Sequence, residues 1–322
     1  PEDREDGIEK NFSIFHDAGA CSRSGGGISR SALSGWVPCI TPPTFLDSIT
    51  WPARKWEKYP VYSPGRVRGL VCGSGLRDAQ ARRLRAEGVS MSAVFKEYFS
   101  TRAAAYRHYR PGYPDALYAF LAAQSPRRRL AWDCATGSGQ VARGLAPRFS
   151  AVVATDASVS QLREAVWHPH IVYRAAPAEA APFADRSVDL VTVAQALHWF
   201  DIDTFFAEVR RVLVPGGLLA LWSYSLLSVS PPVDELIGYL YRDVLGDYWP
   251  PERRLVESGY DELKLPFEPI AVPTFCMSAH WRLPQLLGYL GTWSAVRAYR
   301  RARGADGWKE ERSMMETEWR NQ

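Results

Sequence analysis

Between Leu130 and Ala142 the chain runs from a short apolar strand through Asp133 into the turn Thr136-Gly137-Ser138-Gly139 and a helix start. A second apolar strand, Ala151 to Thr155, ends on Asp156. Strand, glycine turn, helix and acid-ended strand in this order bind a nucleoside. Glycine lets the backbone approach a ligand closely, and a helix N-terminus offers unpaired N–H groups. An acid at the end of the second strand can accept bonds from both ribose hydroxyls. The loop alone leaves the nucleoside open, because Gly137, Gly139 and Ala142 also satisfy the dinucleotide fingerprint, with Asp156 roughly 20 residues on.

Apolar runs continue to alternate with helical patterns. Strands are expected at 130–133, 151–155, 170–174, 188–193 and 217–223, with helices at 140–147, 158–166 and 203–213. That alternation predicts an α/β, Rossmann-like doubly wound fold, a mainly parallel sheet with helices on both faces. A ligand then sits beyond the carboxyl ends of the strands, at the switch point. A further strand is expected at 270–278 and a helix at 283–301.

Four passages resemble the class I S-adenosylmethionine-dependent methyltransferases, a methyltransferase type 11 domain of the branch related to trans-aconitate methyltransferases. They are Tyr106 to Pro114, with Arg110-Pro111 inside it; Asp133 to Gln140; Ser187 to Phe200, ending in His198-Trp199-Phe200; and Val212 to Ala220 around Pro215-Gly216-Gly217. The resemblance covers about residues 95–303. It departs at Ala135, where most of the family carries glycine and this branch often carries alanine.

The resemblance implies S-adenosylmethionine as cofactor, held by Asp133, Ala135, Thr136, Gly137, Gly139, Asp156, Ala157, Ala178, Glu179, Gln195 and Ala196. It implies a small-molecule methyl acceptor, expected to be a carboxylic acid methylated on oxygen. Tyr106 and Arg110 are similar to the family's N-terminal cover, Arg110 and Arg297 are candidate counter-charges, and Trp199 and Trp293 are candidate apolar walls. His198 follows the fourth strand near the expected methyl, as a base or as a donor that orients the acceptor. Two alternatives stay open: a non-catalytic or defective nucleotide-binding protein, and a nicotinamide-dependent oxidoreductase. Against the second stands Asp133, whose charge would repel a pyrophosphate.

Composition narrows the partners. With 39 Lys and Arg against 35 Asp and Glu, the 322-residue chain does not suggest a nucleic-acid binder, which would show a basic face, and no nucleic-acid partner is expected. Its five cysteines fit neither a zinc site nor a disulfide framework, so no metal is expected, and Cys134 and Cys276 are read as buried packing residues. Pro215-Gly216-Gly217 breaks the one uncharged run long enough to raise a membrane span. A cytoplasmic location is expected, with no membrane partner, and the oligomeric state is not legible.

Residues 1–90 are proline-rich and carry little apolar periodicity, which predicts a poorly structured or disordered extension dispensable for cofactor binding. The domain is taken as 91–322, with the native start expected near Met91. An insertion at about 226–262, rich in Tyr, Trp and Pro, is a candidate substrate cover or a packing element. Residues 304–322 show no apolar strand, so the family's last antiparallel strand is expected to be missing and the chain truncated.

Overall fold

The computed structural model describes residues 108–224, 226–304 and 307–321, preceded by two strands, Lys10–Phe15 (β1) and Val61–Tyr62 (β2). The rest of the expected extension, Met91 and Tyr106 lie outside the described residues.

The apolar runs become Leu130–Cys134 (β3), Ala151–Asp156 (β4), Ile171–Ala175 (β5), Val188–Ala194 (β6) and Leu213–Trp222 (β7). They lie parallel in the order β5-β4-β3-β6-β7, and β2 adds antiparallel outside β5. β3, β4 and β6 are buried along almost their whole length, as strands covered on both faces must be. β4 lies on one side of β3 and β6 on the other, so the order reverses at the carboxyl end of β3, where the glycine loop begins.

Helices cover both faces. Asp115–Gln124 (α1), Gln140–Leu145 (α2) and Val159–Arg163 (α3) pack Leu121, Leu145 and Leu162 into one layer. Ile202–Val212 (α4) packs Phe205, Val209 and Val212 into the other. Asp201 caps α4 by accepting from Thr204 N at 3.1 Å. The indole of Trp132, 0% exposed, sits 5.2 Å from Phe183 and 6.3 Å from Phe205, centroid to centroid. Its Nε1–H donates to Thr155 Oγ1 at 2.8 Å, which lets a polar ring stand in the core without an unmet donor.

A second body of packing follows: Leu227–Ser228 (β8), Pro231–Tyr239 (α5), a π-helical turn at Leu240–Val244, Arg253–Glu257 (α6), Cys276–Trp281 (β9), Leu283–Leu290 (α7), Ser294–Arg303 (α8) and Lys309–Arg320 (α9). Ile237, Leu286, Val296 and Met315 share one apolar cluster here. β1 lies antiparallel between β8 and β9 in a small separate sheet.

Several boundaries correct the sequence reading. β7 starts at Leu213, not 217: the chain enters the strand, swings out at Pro215-Gly216, where Gly216 has φ +73°, and re-pairs as Leu218 opposite Leu190. The helix expected to 166 ends at Arg163. The strand expected at 270–278 runs from Cys276 to Trp281, because Pro269 and Pro273 lack the N–H a ladder needs. It pairs with β1, not with the main sheet, and its Cys276 is exposed, not buried. The helix expected at 283–301 is broken at Gly291-Thr292-Trp293, where Thr292 turns its hydroxyl onto Tyr289 O at 2.6 Å. Among the described residues no strand pairs with the outer edge of β7, and the charged tail forms α9, with Met315 and Trp319 buried. No helix among the described residues is long and apolar enough to cross a membrane.

Candidate active site

The loop after β3 is held by its own acid. Asp133 is 1% exposed, and burial pushes its carboxyl up to about 6 against the pull of three hydrogen bonds. Oδ2 accepts from Thr136 Oγ1 and from Ala142 N at 3.0 Å, and Oδ1 accepts from Thr192 Oγ1 at 2.9 Å. The sequence reading gave this carboxylate to the loop N–H groups as well as to the cofactor, and the structure shows its bonds to the loop, the first turn of α2 and β6. Thr136 N donates to Thr155 O at 2.9 Å, which lays the loop across the end of β4.

Three residues in five take left-handed backbone: Ala135 at φ +53°, Gly137 at +58° and Gly139 at +85°. For Ala135 this geometry costs about 1–2 kcal/mol, and the bonds from Asp133 and Thr136 hold the loop in place. A Cβ on Gly139 would run into the Tyr173 phenol, whereas one on Gly137 would meet nothing within 4 Å. The loop therefore closes inward on protein and opens outward on space.

Asp156 stands half-buried at the end of β4. Its Oδ2 accepts from Gly137 N at 2.8 Å and its Oδ1 from Ser158 N at 2.7 Å. Burial raises this carboxyl also to about 6, opposed by those two N–H groups. A carboxylate has about four lone-pair sites, so capacity for two hydroxyl donors remains. Ala157 beside it is exposed and Ala178 is buried. Glu179 accepts from Asp201 N at 3.0 Å, so it braces the entry to α4.

A second group of residues gathers where β6 and β7 end. Gln195 takes φ +58°, accepts no help from glycine, and is held by Gln195 N to Trp222 O at 3.0 Å and Nε2 to Tyr224 O at 3.2 Å. Ala196 is buried behind it, and a 3-10 turn then presents His198 and Trp199. Gln195, His198, Trp199, Trp293 and Arg110 line one cavity, as the sequence reading expects of a shared site. Arg297 is half-buried on α8 and is not among the residues that line this cavity.

Arg110 is fixed from two sides. Nε donates to Thr292 Oγ1 at 3.0 Å and Nη1 to the Tyr224 hydroxyl, and the guanidinium lies 4.9 Å from the Tyr289 ring centroid. Gln140 Nε2 donates to Arg110 O at 3.3 Å, tying this segment to the start of α2. His198 Nδ1 lies 3.0 Å from the Tyr260 hydroxyl. Burial, with the nearby positive charge of Arg253, pushes the imidazole down to about 3, so it is neutral near pH 7.

The sequence reading missed Arg253, Tyr224, Tyr289, Thr292 and Tyr260. Arg253 lines the cavity, donates from Nε to the Tyr241 hydroxyl at 2.9 Å and sits 5.0 Å from the Trp249 ring centroid. Its segment was legible as aromatic, but no spacing singled out this arginine. The insertion serves as both wall and core: Leu226, Trp249 and Pro250 line the cavity while Val233 and Ile237 are buried.

A doubly wound parallel sheet with a glycine loop and an acid at adjacent strand ends defines a Rossmann-like α/β protein. Its kind follows from its relatives. Residues 132–221 match the family model described as a methyltransferase domain. A protein of Dictyostelium discoideum assigned as a methyltransferase is 33% identical over 66% of this chain and 82% of its own length. An uncharacterized methyltransferase of Mycobacterium tuberculosis is 40% identical, over 38% of this chain and 50% of that protein. A solved structure from Anaeromyxobacter dehalogenans, assigned as a type II methyltransferase, is 45% identical over 65% of this chain and 89% of its own, with a TM-score of 0.61. The chain belongs to the class I methyltransferase family.

Proposed function

We propose that this protein is an S-adenosylmethionine-dependent methyltransferase of the trans-aconitate methyltransferase-like branch, acting on an oxygen of a small acidic acceptor. The observation that carries the acceptor class is the cavity lining: two guanidinium groups, Arg110 and Arg253, and no carboxylate among the described lining residues. Trp199, Trp249 and Trp293 supply the apolar walls usual in small-molecule pockets.

The loop residues fit such a cofactor. Gly137 faces open space, Asp156 keeps acceptor capacity, and the buried Ser138 hydroxyl has no partner among the described residues. Asp156 would hold the ribose, and Gln195 and Ala196 the methionine part. S-adenosylmethionine, when bound, would supply a methyl carbon made electrophilic by its sulfonium. Arg110 and Arg253 orient an acid, and the aromatic walls exclude water, so proximity and alignment supply the rate. A carboxylate acceptor has no proton to remove, which agrees with a neutral, weakly basic His198.

The test is methyl transfer from labelled cofactor to a panel of carboxylic acids, phenols, amines, protein and RNA. Labelling of a small acid is the expected result. Labelling of protein or RNA with no small acid accepted overturns the acceptor class.

A further inference from the structure

We infer that Tyr260 is a positioning residue: its hydroxyl donates to Nδ1 of His198 and fixes the imidazole as the Nε2–H tautomer, so that His198 offers the acceptor a hydrogen-bond donor and not a base.

The placement of Tyr260 is built into the backbone. α6 ends in two consecutive left-handed residues, Gly259 at φ +63° and Tyr260 at φ +65°. Gly259 N bonds to Val256 O at 3.1 Å and Tyr260 N to Leu255 O at 2.9 Å, closing the helix end. A left-handed tyrosine is uncommon and costs about 1–3 kcal/mol, the kind of strain that persists where surrounding structure over-determines it. The result lays the phenol beside the imidazole, with ring planes 25° apart and Nδ1 to hydroxyl 3.0 Å.

The direction of that bond follows from what else each atom meets. Nδ1 is the one hydrogen-bond partner the phenol hydroxyl meets among the described residues, so a hydroxyl that did not donate to it would leave its own hydrogen buried and unmet. Burial raises the phenol's pKa and keeps that hydrogen in place, while burial and Arg253 oppose an imidazolium. A neutral imidazole accepting at Nδ1 carries its proton on Nε2. Nε2 has no hydrogen-bond partner among the described residues, and His198 lines the same cavity as Arg110 and Arg253. A donor beside two guanidinium groups suits an anionic oxygen; a basic nitrogen there would have nothing to deprotonate in a carboxylate.

What the donor acts on rests on the proposed function; the tautomer does not. Nitrogen-15 spectra of the histidine-labelled full chain test the tautomer without any acceptor. His198, identified by loss of its signals in His198→Gln, should show a protonated Nε2 and a bare Nδ1, and Tyr260→Phe should abolish that preference. An Nδ1–H form in the unaltered protein, or an unchanged tautomer in Tyr260→Phe, overturns the proposal. With an acceptor in hand, Tyr260→Phe should lower kcat about tenfold at unchanged cofactor affinity. His198→Gln, whose amide N–H stands near the Nε2 position, should keep at least tenfold more activity than His198→Asn. Equal inactivity of the two folded variants would restore the base reading. Failure to find any acceptor would count against the proposed function and leave the spectra to decide the tautomer.

Discussion

The backbone N–H of Gly137 donates to Oδ2 of Asp156 at 2.8 Å, joining the crest of the glycine loop to the end of the neighbouring strand. One carboxylate thus shapes the cradle and faces whatever lies in it. Asp156→Ala removes both roles. Charge-assisted bonds of this kind contribute about 1.5–3 kcal/mol each, so S-adenosylmethionine affinity should fall by roughly tenfold or more. Calorimetry on the folded variant measures it, and an unchanged affinity would remove Asp156 from the site.

The same residue predicts a pH signature. Its carboxyl is raised from 3.8 to about 6, so its folded state binds the proton more tightly than its unfolded state. Its contribution to stability is therefore fully present below about pH 4 and is lost as pH rises through about 6. Cofactor binding runs the other way, because an ionised carboxylate accepts ribose hydroxyls best. Affinity should be flat above about pH 7 and fall by up to about tenfold per unit below pH 6. Titration calorimetry at several pH values checks this, and Asp156→Asn should flatten the profile.

Gly139→Ala should destabilise the fold. The added methyl meets the hydroxyl of buried Tyr173 and must also adopt φ +85°. Overpacking of this sort costs about 1–3 kcal/mol, which thermal melts would show as a drop of several degrees. Tyr173→Phe in the same chain should recover only part of the loss, since ring carbons at 2.9 and 3.0 Å remain in the way. Full recovery, or no loss at all, would contradict the packing described.

Arg110→Ala and Arg253→Ala should each lower kcat/KM for an acidic acceptor at least tenfold while leaving cofactor affinity within about twofold. Arg110→Lys should rescue little, because one ammonium cannot reach Thr292 and Tyr224 together as the planar fork does. The comparison is steady-state kinetics beside cofactor calorimetry; equal losses for a neutral acceptor would show that charge is not what these arginines supply.

The nucleotide half of the fold was legible because its signals are local. A run such as Ala151 to Asp156 needs no partner to read as a buried strand, and Gly137 and Gly139 announce a left-handed turn by residue type. The substrate half was not, because its geometry comes from pairs far apart in sequence. Arg110 meets Thr292 and Tyr224 only after the sheet has folded, and Tyr260 meets His198 only because α6 ends in a left-handed turn. The bond that Glu179 accepts from Asp201 N was hidden for a related reason, since the two residues lie on separate segments that meet only in the fold.

The Pro215-Gly216 corner interrupts β7 at its amino end, whereas the cavity lies past the carboxyl ends of β6 and β7. Both residues are exposed, and a side chain at Gly216 would meet nothing within 4 Å. The parallel sheet therefore separates the molecule into a working rim and an idle one. A fluorophore or tether attached at this corner would report on the protein, or hold it to a surface, with the whole length of the strands between the attachment and the reacting atoms.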